Sequence, residues 1–318
     1  MDLGSNSKPI ATIITGKKSE AISDIEDSKL DSKVQWLMEF ITDKAAMEKS
    51  LVDVGYDIKK LPLNKLSKET FNEAYKVLEE IQVVLLKVKD GKSSIGKVSP
   101  ELSHLSSKFY SIIPHDFGRQ KMCQFIIRTL DDLEKKMELI SNLIDIKDGL
   151  DIQNKSKKSS SKTEEILITK KQPNPLDKVY DNLKCDIKPV SHSAEIFKNI
   201  NTYITNTSDY YKIKVEDMYE LNREGEKEKY NPNNYDNKKL LFHGSRFSNF
   251  TGIIGNGLRI APKEAPSTGY NFGKGVYLAD MAGKSAPYCC PYLSNNTILL
   301  IICETALGNP RQLQRPDY

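Results

Sequence analysis

The chain predicts an α+β protein: an all-α helical half, then a half built on a mostly antiparallel β-sheet. Three observations predict this class. Apolar residues recur at helical spacing up to about residue 150. A Lys/Ser-rich run, Asn154-Lys-Ser-Lys-Lys-Ser-Ser-Ser-Lys162, then breaks the period. After Pro175 short apolar runs appear, punctuated by Gly and Pro.

Residues 1–30 are Ser, Lys, Asp and Gly with few aromatics, and read as a flexible leader. In the helical half, 31–150, Val34, Leu37, Met38 and Ile41 mark one helix face, with Trp36 expected in the core beside it. Ser67 is the N-cap of a long helix whose face is Phe71, Ala74, Tyr75, Leu78, Ile81 and Leu85. Gly91–Gly96 reads as a loop, 101–110 as a shorter helix, and Leu130, Leu133, Met137, Ile140 and Ile144 as a further stripe. Together these stripes describe a helical bundle. Residues 151–174 read as the linker, and its lysines fit a nuclear-import signal. In 175–318, Ala194–Asn206 reads as a helix, and the alternating Tyr211–Glu216 as a half-buried strand. Leu240–Phe242 and Val276–Leu278 read as short strands, and Ile298–Cys303 as a strand buried on both faces.

Composition narrows the class. The 318 residues carry 38% apolar and 28% charged side chains and a net charge of +4, so no global basic field points to nucleic acid. The five cysteines form no Cys-x-x-Cys pair, which argues against a zinc finger or disulfide scaffold and for a reducing compartment. The start lacks an apolar signal core, and the longest apolar run is too short to span a bilayer, so a soluble intracellular protein is expected.

The stretch from Leu240 to Cys290 carries the chemistry. It reads Leu240-Leu-Phe-His-Gly-Ser-Arg246, Gly257-Leu-Arg-Ile-Ala-Pro262, Gly269-Tyr-Asn-Phe-Gly-Lys-Gly-Val-Tyr-Leu-Ala-Asp280 and Lys284-Ser-Ala-Pro-Tyr-Cys289. A His-Gly-Ser unit at a strand end offers free backbone groups, glycines allow close approach, and Tyr faces accept a flat ring. That mix suits a polar, planar, phosphate-bearing ligand.

The four sub-motifs, in this order and spacing, resemble the NAD-binding core of the poly(ADP-ribose) polymerases. Leu61-Pro-Leu-Asn-Lys-Leu-Ser67, Phe109-Tyr-Ser-Ile-Ile-Pro-His-Asp-Phe-Gly118 and Leu143-Ile-Asp-Ile146 resemble the regulatory helical domain of the DNA-damage-responsive branch of that family. The resemblance implies an NAD-dependent protein ADP-ribosyltransferase acting in the nucleus on protein acceptors in DNA repair. It implies no metal and no membrane, and no DNA-binding module is visible.

The same resemblance implies residue roles. Gly244 backbone and Ser285 hydroxyl would hold the nicotinamide carboxamide; Tyr288 would stack on the ring, with Tyr277 opposite. His243 would bind the adenosine-side ribose, and Ser245 and Arg259 would face the adenosine half. Tyr270 would sit on a covering loop, and Lys284 beside the acceptor path. His243 and Tyr277 are the expected catalytic members of the family's His-Tyr-Glu set; His104, His115 and His192 are read as non-catalytic. Asp145 would lie on a helix that hinders dinucleotide binding.

The family's domain continues beyond the position matching Tyr318, and its catalytic Glu has no counterpart here. Glu304 matches a structural strand instead. The chain is therefore expected to be a C-terminally truncated transferase, with the alternative of an inactive relative that binds NAD or protein.

Overall fold

The computed structural model describes residues 25–160, 172–208, 211–263, 265–266 and 272–314. Most of the expected leader and residues 161–171 of the expected linker lie outside them.

The described helical half runs through α1 (Ser32–Thr42), α2 (Lys44–Asp53), α3 (Lys68–Lys89), α4 (Ile95–Ile112) and α5 (Leu130–Ser160). Local chemistry sets their starts. Asp31 and Asp43 accept backbone N–H bonds at the first turns of α1 and α2. Ser67 and Thr70 exchange capping bonds at the start of α3. The α4 helix is longer than the sequence pattern predicts and carries Pro100 in its second turn. The α5 helix continues to Ser160, through the first part of the span expected as linker.

The second half follows as α6 (Pro175–Leu183), β1 (Cys185–Pro189), α7 (Glu195–Asn206), β2 (Tyr219–Arg223), the single turn α8 (Glu226–Lys229), β3 (Lys238–Gly244), α9 (Phe250–Asn256), the single turn α10 (Ala282–Ser285) and β4 (Leu300–Ala306). Its described strands form two antiparallel pairs. In one, β1 lies on β2 with Ile187 opposite Leu221; in the other, β3 lies on β4 with His243 opposite Ile301. The α+β class holds.

Several expectations are corrected. Tyr211–Glu216 joins no ladder among the described residues; Ile213 and Val215 still pack toward Phe242 and Ile204, because alternation selects a buried face but not a strand partner. Val276–Leu278 is not a strand, and only the adjacent Ala279 bridges to Phe242. The β4 strand starts at Leu300 and is half-exposed along its length, not buried on both faces. Trp36 is 44% exposed and stacks flat on Phe40, with centroids 5.3 Å apart, outside the core.

One core lies between α3, α4 and α5, around Leu78, Leu102, Phe109 and Ile140. A second joins Val34, Leu37, Met38 and Ile41 of α1 and Ile152 of α5 to Leu183, Ile187, Phe250 and Ile254. The α1 stripe therefore packs into the second half and not into the bundle. Where α5 crosses α9, backbones meet closely. A Cβ on Gly252 would fall 2.4 Å from the Asp145 carbonyl oxygen, and one on Gly255 would fall 2.6 Å from Ile152 Cδ1. Gly149 lies on the same seam, facing Thr251. Thr251 Oγ1 donates to the Ile41 carbonyl at 2.7 Å, tying α9 to α1 as well.

Gly252→Ala should destabilise the protein by about 1–3 kcal/mol, because rigid backbone blocks the added methyl. Gly96→Ala in α4 has nothing within 4 Å and should be neutral or stabilising by up to about 1 kcal/mol. Denaturant unfolding of both variants checks the contrast.

Candidate active site

A cavity of about 800 Å³ lies between α3 and α5 on one side and the end of β3 on the other. His243, Gly244, Ser245, Arg259, Tyr277 and Tyr288 all line it. The opposite wall is Phe71 and Tyr75 of α3 and Asn142, Asp145 and Asp148 of α5. The site is thus closed by the helical half.

The end of β3 is fixed by contact. A Cβ on Gly244 would lie 2.0 Å from the Ser285 carbonyl oxygen and 3.1 Å from Cys289 Sγ, so only glycine lets β3 meet the α10 turn here. Ser285 is buried against this junction and donates to the Phe242 carbonyl at 3.2 Å; it sits behind Gly244 and outside the cavity lining. Burial pushes the Cys289 thiol up to about 12, so it stays protonated and donates to the Leu299 carbonyl at 3.2 Å.

His243 is oriented through its Nδ1, 3.1 Å from the Tyr277 carbonyl oxygen. This contact joins β3 to the loop that carries Tyr277. The Tyr277 hydroxyl donates to the Gly273 carbonyl at 2.7 Å and accepts from the Phe272 N–H at 3.2 Å, which closes that loop on itself. Tyr277 and Tyr288 are 43% and 64% exposed, at the rim of the cavity.

Arg259 is held by the helical half. It donates to Asp145 Oδ1 at 2.9 Å and also pairs with Asp148, which in turn accepts from Asn256 at 3.2 Å. Burial drives the Asp145 carboxyl up to about 6, a rise that Arg259 opposes and the like charge of Asp148 reinforces. For Arg259 burial favours the neutral form, yet two carboxylates outweigh it and the guanidinium stays protonated.

Of the remaining expected residues, Lys284 is exposed and outside the cavity lining, and Tyr270 lies outside the described residues. Glu304 is also outside the lining; it sits opposite Leu240 in the β3–β4 ladder, 3.5 Å from Lys238. Two polar residues that the motif reading passes over complete the site. Asn249 Nδ2 donates to Ser245 Oγ at 2.9 Å and to Asn142 Oδ1 at 2.8 Å. Only one of the two held a helical signal: Asn142 lies one turn before Asp145 on α5, whereas Asn249 follows Ser245 through a corner that is not α-helical. No group of three His, Cys, Asp or Glu side chains able to hold a metal occurs among the described residues.

Comparison with known proteins matches both halves. Residues 28–180 match the family model described as the poly(ADP-ribose) polymerase regulatory domain, and 193–318 match the poly(ADP-ribose) polymerase catalytic domain. The chain is 36% identical over 310 residues to poly [ADP-ribose] polymerase 2-B of Oryza sativa subsp. japonica, covering 96% of this chain and 48% of that protein. It is 38% identical over 296 residues to poly [ADP-ribose] polymerase 1 of Gallus gallus, covering 92% of this chain and 27% of that protein. The chain thus spans half or less of the length of these relatives. With both halves matched in order and the relatives aligned across them, the chain belongs to the poly(ADP-ribose) polymerase family.

Proposed function

We propose that this chain carries the donor site of an NAD-dependent protein ADP-ribosyltransferase. The observation that carries the reading is one cavity shared by His243, Gly244, Ser245, Arg259, Tyr277 and Tyr288, each of a type suited to one part of the dinucleotide. Gly244 backbone would meet the nicotinamide carboxamide, with the Ser285 hydroxyl swinging from the Phe242 carbonyl to join it. Tyr277 and Tyr288 would flank the ring, and His243, Ser245 and Arg259 would hold the adenosine side. Tyr270 and Lys284 would act at the covering loop and the acceptor path. The bond from nicotinamide to ribose breaks with its electron pair leaving on the ring; the acceptor oxygen bonds the ribose carbon and loses its proton. Fixing donor geometry and supporting the oxocarbenium-like charge are the enzyme's tasks.

A second reading is a module that binds NAD without transferring ADP-ribose. It is favoured by the charges around the cavity: among the described residues, every carboxylate of the lining comes from α5 and none from the second half. Incubation with labelled NAD decides between the two readings: label on protein supports transfer, and binding without label supports the module. Gly244→Ala should cut donor binding or transfer about 100-fold by forcing β3 off the α10 turn. Intact activity in that variant would remove Gly244 from the site.

The α5 wall supports a gating role for the helical half. Asp145 and Asp148 hold the Arg259 that the donor would need, so the closed arrangement competes with the dinucleotide. Deleting 30–150 is a poor probe of this gate, because it strips Val34, Leu37, Met38 and Ile41 from the second core. Asp145→Asn is cleaner and should raise NAD affinity about fivefold, read by calorimetry. The same variant reports on pH. The Asp145 carboxyl titrates at about 6 in the fold, above its unfolded value, so the fold binds the extra proton. Its ionisation therefore lowers stability as pH rises from about 4 to 6. Melting curves over that range should show this fall, and Asp145→Asn should lack it.

A nuclear setting and a role in DNA repair are proposed on the family and on the Lys-rich run at 155–162. Protein acceptors are proposed as the second substrate.

A further inference from the structure

A single carboxylate of the helical half bridges two second-half walls of the cavity, the β3 end and the Tyr288 segment, through Arg246 and Tyr292, which themselves lie outside the lining. Asp53, the last residue of α2, accepts from Arg246 at 2.6 Å and from the Tyr292 hydroxyl at 2.9 Å, through the same Oδ2 atom. Arg246 directly follows Ser245 at the end of β3. Tyr292 lies four residues beyond Tyr288. Arg246 is only 9% exposed, and its Nε has no hydrogen-bond partner among the described residues. Asp53 is the carboxylate with which this buried guanidinium is paired, and removing it would leave a desolvated charge.

We propose that Asp53 is a positioning residue for the donor cavity, holding the β3 end through Arg246 and the Tyr288 segment through Tyr292. This inference rests on the reading of the cavity as the NAD site. The geometry makes the two walls interdependent. They already touch where Gly244 meets the Ser285 carbonyl, which fixes their separation at one point. A second fixed point stops the Tyr288 segment from rotating about the first. Other ties cross the same interface, Ser248 to Ser50 and Thr251 to Ile41, but both act on the chain after Arg246, and neither holds the 288–293 segment. Asp53 alone among these residues holds both walls.

The test is amide hydrogen exchange on the full chain, joined to a nicotinamide titration. Asp53→Ala should speed exchange in both 243–246 and 288–293 while α3 keeps its protection, and should weaken nicotinamide binding about tenfold. Tyr292→Phe, a mild change that keeps the ring, should speed exchange only in 288–293. Asp53→Asn should loosen the Arg246 segment more, because its amide oxygen can still accept from Tyr292 while the charge is gone. Unchanged exchange in both segments, or nicotinamide binding within twofold of the unaltered protein in Asp53→Ala, would overturn the inference alone. Faster exchange throughout the chain would overturn it too, leaving Asp53 a general fold-stabilising residue. Failure of the unaltered protein to bind nicotinamide would overturn the functional reading and this inference with it.

Discussion

The close crossing of α5 over α9 is the constraint on which the site depends. Gly252 admits the Asp145 carbonyl where any side chain would collide, and Gly149 and Gly255 clear the same seam. Helices that approach this closely can shift little without collision, since packed interfaces have few alternative arrangements. The axial position of α5 is thereby set against α9, and α9 leads directly into the Arg259 segment. It leaves through Gly257 at φ +83°, where a Cβ would strike the Arg223 guanidinium. The register of one helix crossing thus determines which α5 side chains face Arg259.

Charge on the cavity wall follows from that register. Arg259 is half-exposed and meets two carboxylates, so its charge is well supported; Asp145 is more enclosed and meets one cation and a neighbouring anion, so its desolvation is not fully offset. The pair is therefore asymmetric: Arg259 stays charged through the physiological range, while Asp145 is the member whose charge is costly. A half-exposed ion pair of this kind adds little net stability, yet it occupies the one basic residue that the 257–262 segment contributes to the cavity lining. The Asn142–Asn249–Ser245 chain of hydrogen bonds adds a second tie, so polar contacts link the helical half to two segments of the facing cavity wall, those of Ser245 and Arg259.

Much of this was legible in the sequence, and the limits have physical causes. Stripes marked α1 and α3, and a cap marked the start of α3, because such signals are local: Ser67 finds Thr70 three residues away. The motif order placed six residues around one cavity although they come from separate segments. What failed depended on partners far along the chain. Tyr211–Glu216 alternates like a strand but joins no ladder among the described residues. Trp36 sits on a helical face but on its exposed side, and stacks on Phe40. The Asp53–Arg246 pair spans 193 residues and has no sequence signature at all, since an Asp at a helix end reads equally well as a solvated charge.

The sharing of cores limits how a gate at α5 can work. Leu133, Met137, Ile140, Leu143 and Ile146 belong to the helical core, whereas Ile152, further along the same helix, belongs to the core built on α1, α6 and β1. Lifting α5 as a rigid rod would expose both sets at once, which costs far more than a ligand's differential affinity can supply. A less costly motion keeps the Ile152 end anchored and loosens the turns from Asn142 to Asp148, which carry the polar contacts to Ser245, through Asn249, and to Arg259. The Gly252 contact sits inside that stretch, at the Asp145 carbonyl. On the proposed reading, the segment that blocks the donor is also the one whose close fit makes the blocked state specific.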